Sequence, residues 1–177
     1  MKKRNQKALI QYLFIVVLRI GVPLLIFYYP IFSALVVTFL DIIDADFASN
    51  RVLSLKEYER YDKILDLWWY TMAIVYSVFY LKPYFVFLLF LYLYRLAGDI
   101  IFFIKNDRRL LFFFQNFFEN AFFVVFFGSL VNGLRFIISG SNLYLTLIIA
   151  FMLKIFQEWL VHWKQFTFKK NRLWLKD

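Results

Sequence analysis

Five aspartates fall between Asp41 and Asp66, in the stretch DIIDADFASNRVLSLKEYERYDKILD, while the segments on either side are almost wholly apolar. Asp41 and Asp44 are spaced i, i+3, and Asp62 and Asp66 i, i+4, so on helices each pair shares one face. Two such faces on neighbouring helices converge into a cluster of four carboxylates. Like charges at that density either raise one another's pKa values or bind cations. Carboxylate oxygens without nitrogen or sulfur partners suit Mg²⁺, Mn²⁺ or Ca²⁺, and a divalent site with positions open to substrate phosphates is the chemistry they favour. A competing reading is structural: interfacial acids cap helices and pair with Arg51, Lys56, Arg60 and Lys63. It serves Asp62, at a helix N-terminus, but not Asp41 and Asp44, at a C-terminus where the macrodipole opposes them. Asp46 reads as a loop acid or a secondary ligand.

The elements that must position these acids are membrane helices. Of the 177 residues, 63% are hydrophobic and 24% aromatic, far from the balance of a soluble domain. That length accommodates about six helical spans of roughly 20 residues and little else, which predicts one all-α membrane domain over 1–177. Cysteine is absent, which excludes a disulfide framework, a thiolate metal site and a cysteine nucleophile; His162 is the single histidine, which excludes a histidine-rich zinc site. The apolar segments run from about 8 to 29, 31 to 45, 61 to 81, 84 to 104, 110 to 132 and 141 to 163. The first begins like a signal peptide, but its length, Arg19 and the lack of a small-residue cleavage site make it a retained span.

Positive charge sets the expected orientation. Lys2, Lys3, Arg4 and Lys7 precede the first span. Arg51, Lys56, Arg60 and Lys63 follow the second, Lys105, Arg108 and Arg109 follow the fourth, and Lys164, Lys169, Lys170, Arg172 and Lys176 follow the sixth; the opposite loops hold only Lys82 and Arg135. Both termini and the acidic stretch are therefore expected on the cytoplasmic face of the cell's inner (plasma) membrane. The basic excess is assigned to this topology and to anionic lipid headgroups, and no nucleic-acid partner is expected.

Charges inside the spans need partners. Arg95 and Asp99 can neutralise each other across one helical turn, and Lys154, Glu158 and His162 continue that spacing as a polar stripe that self-neutralises or lines a headgroup or acceptor cavity. Glu119 has no obvious local partner and is expected to face the bundle interior. Arg19 requires an anion, either the acid cluster or a substrate phosphate. Arg108 and Arg109 follow from the positive-inside rule, with an acceptor phosphate as the alternative. The phenylalanine runs FFFQNFF and AFFVVFF read as core and lipid-facing packing.

The spacing Asp41-x2-Asp44-x17-Asp62-x3-Asp66 resembles the signature of the CDP-alcohol phosphatidyltransferases, D-x2-D-G-x2-A-R-x8-G-x3-D-x3-D. All four aspartates are present, and Ala48 stands at the signature alanine. Arg19 and Pro23, in VVLRIGVPLLIFYYP, are similar to the arginine and proline common in that family's first span. Ala45, Ser49 and Tyr58 replace the first glycine, the arginine and the second glycine.

The resemblance implies metal-dependent phospholipid-biosynthesis chemistry, in which an alcohol acceptor attacks a CDP-linked donor and releases CMP. It implies Asp41, Asp44, Asp62 and Asp66 as ligands to two Mg²⁺ or Mn²⁺ ions, with Asp66 also the catalytic base. Ala45, Ala48, Ser49 and Tyr58 line the expected nucleotide site, with Arg51, Lys56 or Arg60 as the replacement phosphate partner although none stands at the matching position, and a homodimer in the membrane is a further expectation. Two alternatives stay open: a non-catalytic membrane binding or scaffold relative that keeps the metal site without the nucleotide pocket, and a cation transporter. The transporter is disfavoured because the acids lie at one interface instead of mid-bilayer.

Overall fold

The computed structural model describes residues 6–48, 52–105 and 108–159. These residues form six α-helices joined by short 3₁₀ segments, with no strand among them: α1 Gln6–Gly21, α2 Pro30–Ala48, α3 Leu55–Tyr80, α4 Phe85–Lys105, α5 Phe117–Leu130 and α6 Ser141–Glu158. Three segments are long and apolar enough to cross a membrane, Gln6–Phe27, Lys82–Lys105 and Leu110–Leu130. A fourth arises if Asn132–Ile138 and Ser141–Glu158, bent by 89°, make one span. The bend falls at Gly140, whose φ of 52° is open chiefly to glycine. Of the six expected spans, α2 and α3 stand outside this group. α2 ends in Asp41, Asp44 and Asp46, and α3 opens on charges and continues through several tyrosines.

Packing divides the chain into two compact units, the boundary falling after Met72 within α3. In the first unit, Pro23 lacks the N–H that an α-helix would use, so α1 stops at Gly21 and the chain tightens into a 3₁₀ turn over Val22–Phe27. Side chains from the next two helices satisfy carbonyls at this break: Ser33 Oγ of α2 donates to the Val22 carbonyl at 2.8 Å, and Trp68 Nε1 of α3 donates to the Ile20 carbonyl at 2.9 Å. Pro30 then supplies the first helical residue of α2, where its missing N–H costs nothing. α3 starts at a capping box: the Ser54 hydroxyl accepts from the Glu57 amide at 3.3 Å, while the Glu57 carboxylate accepts from the Ser54 amide at 2.8 Å.

The second unit is built on α5, where Phe118, Phe122 and Phe126 share one helix face and are fully buried. Successive rings stack at 6.1 and 5.1 Å, and Tyr76 of α3 meets Phe126 edge-on at 5.6 Å. The expected fifth span is not one continuous α-helix. A 3₁₀ segment covers Arg108–Phe112, and α5 begins only at Phe117, after an irregular stretch. The Phe113 carbonyl accepts from the Tyr94 hydroxyl, and the Phe114 carbonyl accepts from Arg95 Nη1 at 2.8 Å, which meets the need of non-helical backbone for internal partners. Gly98 makes room for this stretch, since a Cβ there would lie 2.2 Å from Phe114 Cβ. The interruption also corrects the reading of Glu119. Asn116 caps α5, accepting from the Glu119 amide at 3.2 Å and donating to its carboxylate at 2.7 Å, so Glu119 has a local partner three residues away.

Candidate functional site

Within the first unit, the α1 break sets the position of Arg19. It lies in the last turn of α1, is 3% exposed, and sits one residue before the carbonyl that Trp68 holds. Its guanidinium contacts all four signature aspartates. Nη1 donates to Asp44 Oδ2 and, at 3.1 Å, to Asp62 Oδ1; Nη2 donates to Asp41 Oδ1 at 2.8 Å and to Asp66 Oδ1 at 2.7 Å. α2 and α3 thus bring together the acids that their spacing paired, and the anion that Arg19 requires is the acid cluster; because α3 begins at Leu55, Asp62 lies about two turns inside that helix and not at its N-terminus as expected.

Asp44 and Asp41 occupy different environments within this group. Asp44 is 1% exposed and accepts a second hydrogen bond, at 2.8 Å, from the Tyr58 hydroxyl. Burial and then the charge of Asp62 push the Tyr58 phenol above its ordinary value, so it stays protonated as a donor. Asp41 is about half exposed, whereas Asp62 and Asp66 are mostly covered and share a second cation: Lys63 Nζ donates to Asp62 Oδ2 at 2.9 Å and to Asp66 Oδ2 at 2.5 Å. Arg19 and Lys63 together thus engage all four carboxylates.

This donor set fits a hard divalent cation. Asp41, Asp62 and Asp66 each offer a carboxylate oxygen, and the three oxygens lie within 4.8 Å of one another. Asp44 lies deeper and is engaged by Arg19 and Tyr58, so a second ion would have to share these same carboxylates.

The remaining predicted positions fall around this group or outside the described chain. Ala45 and Ala48 are buried, and Ala48 packs with Ala8, Tyr12 and Val52, where small side chains let α2 approach α1. Tyr58 packs against the same cluster. Ser49, Arg51, His162 and the terminal basic segments lie outside the described residues, as do the side chains of Arg108 and Arg109. Away from the cluster, Arg95 pairs with Asp99 at 3.0 Å and Lys154 with Glu158 at 3.0 Å, both across one turn as their spacing predicts. The sequence placed Tyr58 at a glycine position of the expected nucleotide site and did not reveal its bond to Asp44. The signal was its position in the first turn of the helix that also carries Asp62. No family model, no curated protein and no solved structure matches the chain.

Proposed function

We propose that the chain is a six-span integral membrane transferase with both termini and its acidic site at the cytoplasmic face of the inner membrane. It moves a phosphatidyl or phosphoalcohol group from a CDP-linked donor to an alcohol acceptor. The observation that carries this reading is the convergence of Asp41, Asp44, Asp62 and Asp66, in the spacing of the CDP-alcohol phosphatidyltransferase signature, upon one point between α2 and α3. Asp41, Asp62 and Asp66, with Asp44 behind them, would hold Mg²⁺ or Mn²⁺. Bound there, the metal would offset charge on the phosphates of the donor.

The chain's own residues divide the remaining work. The acceptor oxygen bonds to the donor phosphorus, the bond from that phosphorus to the bridging oxygen breaks, and CMP leaves with the electron pair. Asp66 takes the proton of the acceptor hydroxyl. Arg19 holds the carboxylates in register, and Tyr58 keeps Asp44 oriented through the hydrogen bond it donates.

CMP release from the purified protein in lipid, with CDP-diacylglycerol and pooled alcohol acceptors, tests the proposal. Release is expected with Mn²⁺, not without it, and is expected to vanish in Asp62→Asn. Asp66→Asn should lower turnover by about a hundredfold or more with helical content unchanged, the scale of a lost general base; full turnover in that variant would remove Asp66 from the role. A second reading, a non-catalytic scaffold that keeps the bundle, is favoured by one observation: Arg19, Lys63 and Tyr58 already engage the acids. It is the reading to adopt if no CMP appears under any condition.

A further inference from the structure

The two cations at the cluster differ in how they are held. Arg19 is 3% exposed, sits at a helix break fixed by Trp68, and touches acids from both α2 and α3. Lys63 is more open, its side chain 18% exposed, and bridges Asp62 and Asp66 on its own helix. Its Nζ bridges Asp62 Oδ2 and Asp66 Oδ2, while the Oδ1 atoms of both residues bond Arg19. All four oxygens of these two carboxylates therefore already face a cation. A lysine ammonium is a compact point charge on a flexible stem, able to leave without disturbing the backbone, whereas the guanidinium forks into several fixed bonds.

We infer that Lys63 is an internal competitor for the divalent ion: its ammonium holds Asp62 and Asp66 when no metal is bound and swings away when metal enters, while Arg19 stays. The inference rests on the metal reading of the preceding section. Lys63 thereby sets the metal concentration at which the site fills, and it prevents two adjacent carboxylates from repelling each other when no metal is present. Removing one positive charge from direct contact with the ligands has its largest effect in a dry interior and a much smaller one at a partly exposed site, so an effect of about tenfold is expected.

Mn²⁺ titration of the full chain in lipid nanodiscs, read by the electron paramagnetic resonance signal of free Mn²⁺, tests this without reference to turnover. Lys63→Gln is expected to bind Mn²⁺ about tenfold more tightly than the parent, Lys63→Arg no more tightly than the parent, and Asp62→Asn weakly or not at all. In the parent, Mn²⁺ should also increase acylation of the Lys63 amine by a lysine-reactive reagent, read on its own peptide by mass spectrometry. Saturable binding in the parent with equal or weaker binding in Lys63→Gln, and no change in acylation, would overturn the competition while leaving the metal site standing. Parent and Lys63→Gln proteins that bind no more Mn²⁺ than Asp62→Asn would overturn the metal reading, and the competition with it.

Discussion

The two units of the molecule handle charge in opposite ways. In the second, Arg95 pairs with Asp99 and Lys154 with Glu158 across single helical turns. Each pair forms when its helix forms and leaves no excess charge. In the first, Arg19 meets acids 22 to 47 residues away, and the cluster exists only once three helices have packed. Four acids and two bases from three helices then meet at one point. Convergence of acids from separate helices on one buried guanidinium, more than the presence of charge in an apolar chain, distinguishes the candidate site from structural pairing.

Removing one side of each network tests that distinction most severely. Arg19→Leu leaves Asp44 buried beside three other carboxylates and should lower the stability of the chain in lipid by about 3–5 kcal/mol, read from denaturant or thermal unfolding. Adding Asp44→Leu should not restore it, because three acids remain. Arg95→Leu should also destabilise, and Arg95→Leu with Asp99→Leu should recover the part due to the unpaired Asp99, leaving about 1–3 kcal/mol for the Phe114 carbonyl that has lost Arg95. An Arg19→Leu protein as stable as the parent would erase the contrast between the units.

What the sequence disclosed follows the same division. Local spacing identified the helix-internal pairs and the shared faces of Asp41 with Asp44 and of Asp62 with Asp66, because i, i+3 and i, i+4 relations depend only on helix geometry, and apolar content placed the start of α6 at 141. It also named the acid cluster as one of two anions for Arg19. Less visible were features set by packing between elements. Apolar content alone made 110–132 one span, although the backbone is irregular between Phe112 and Phe117, where carbonyls bond Tyr94 and Arg95 of α4. The signatures Ser54-x-x-Glu57 and Asn116-x-x-Glu119 were present in the sequence, and the second would have supplied the partner of Glu119.

The irregular stretch offers the next test. Gly98→Ala introduces a Cβ 2.2 Å from Phe114 Cβ, which must shift a ring and the backbone that carries it. Overpacking of this kind costs typically about 1–3 kcal/mol. Unlike Arg19→Leu, the variant alters no charge, so Mn²⁺ binding at the acid cluster should be unchanged while thermal stability falls. Altered Mn²⁺ affinity in Gly98→Ala would mean that the two units communicate.

The smallest effects come from the caps, one in each unit. Asn116 is 5% exposed and bonds Glu119 from both ends of its amide, so Asn116→Ala should cost about 1–2 kcal/mol. Ser54 is exposed, and Ser54→Ala should cost about 0.5–1 kcal/mol, since water can replace the lost partner. Its local consequence is more telling than its size. The turn that Ser54 caps carries Tyr58, whose hydroxyl holds Asp44, so fraying should appear as faster amide hydrogen exchange over residues 55–58 in Ser54→Ala, and Ser54→Asp should reverse it. Unchanged exchange would mean that the Tyr58 bond to Asp44, more than the capping box, anchors the start of α3, and that the acid cluster organises the helix that supplies half of its carboxylates.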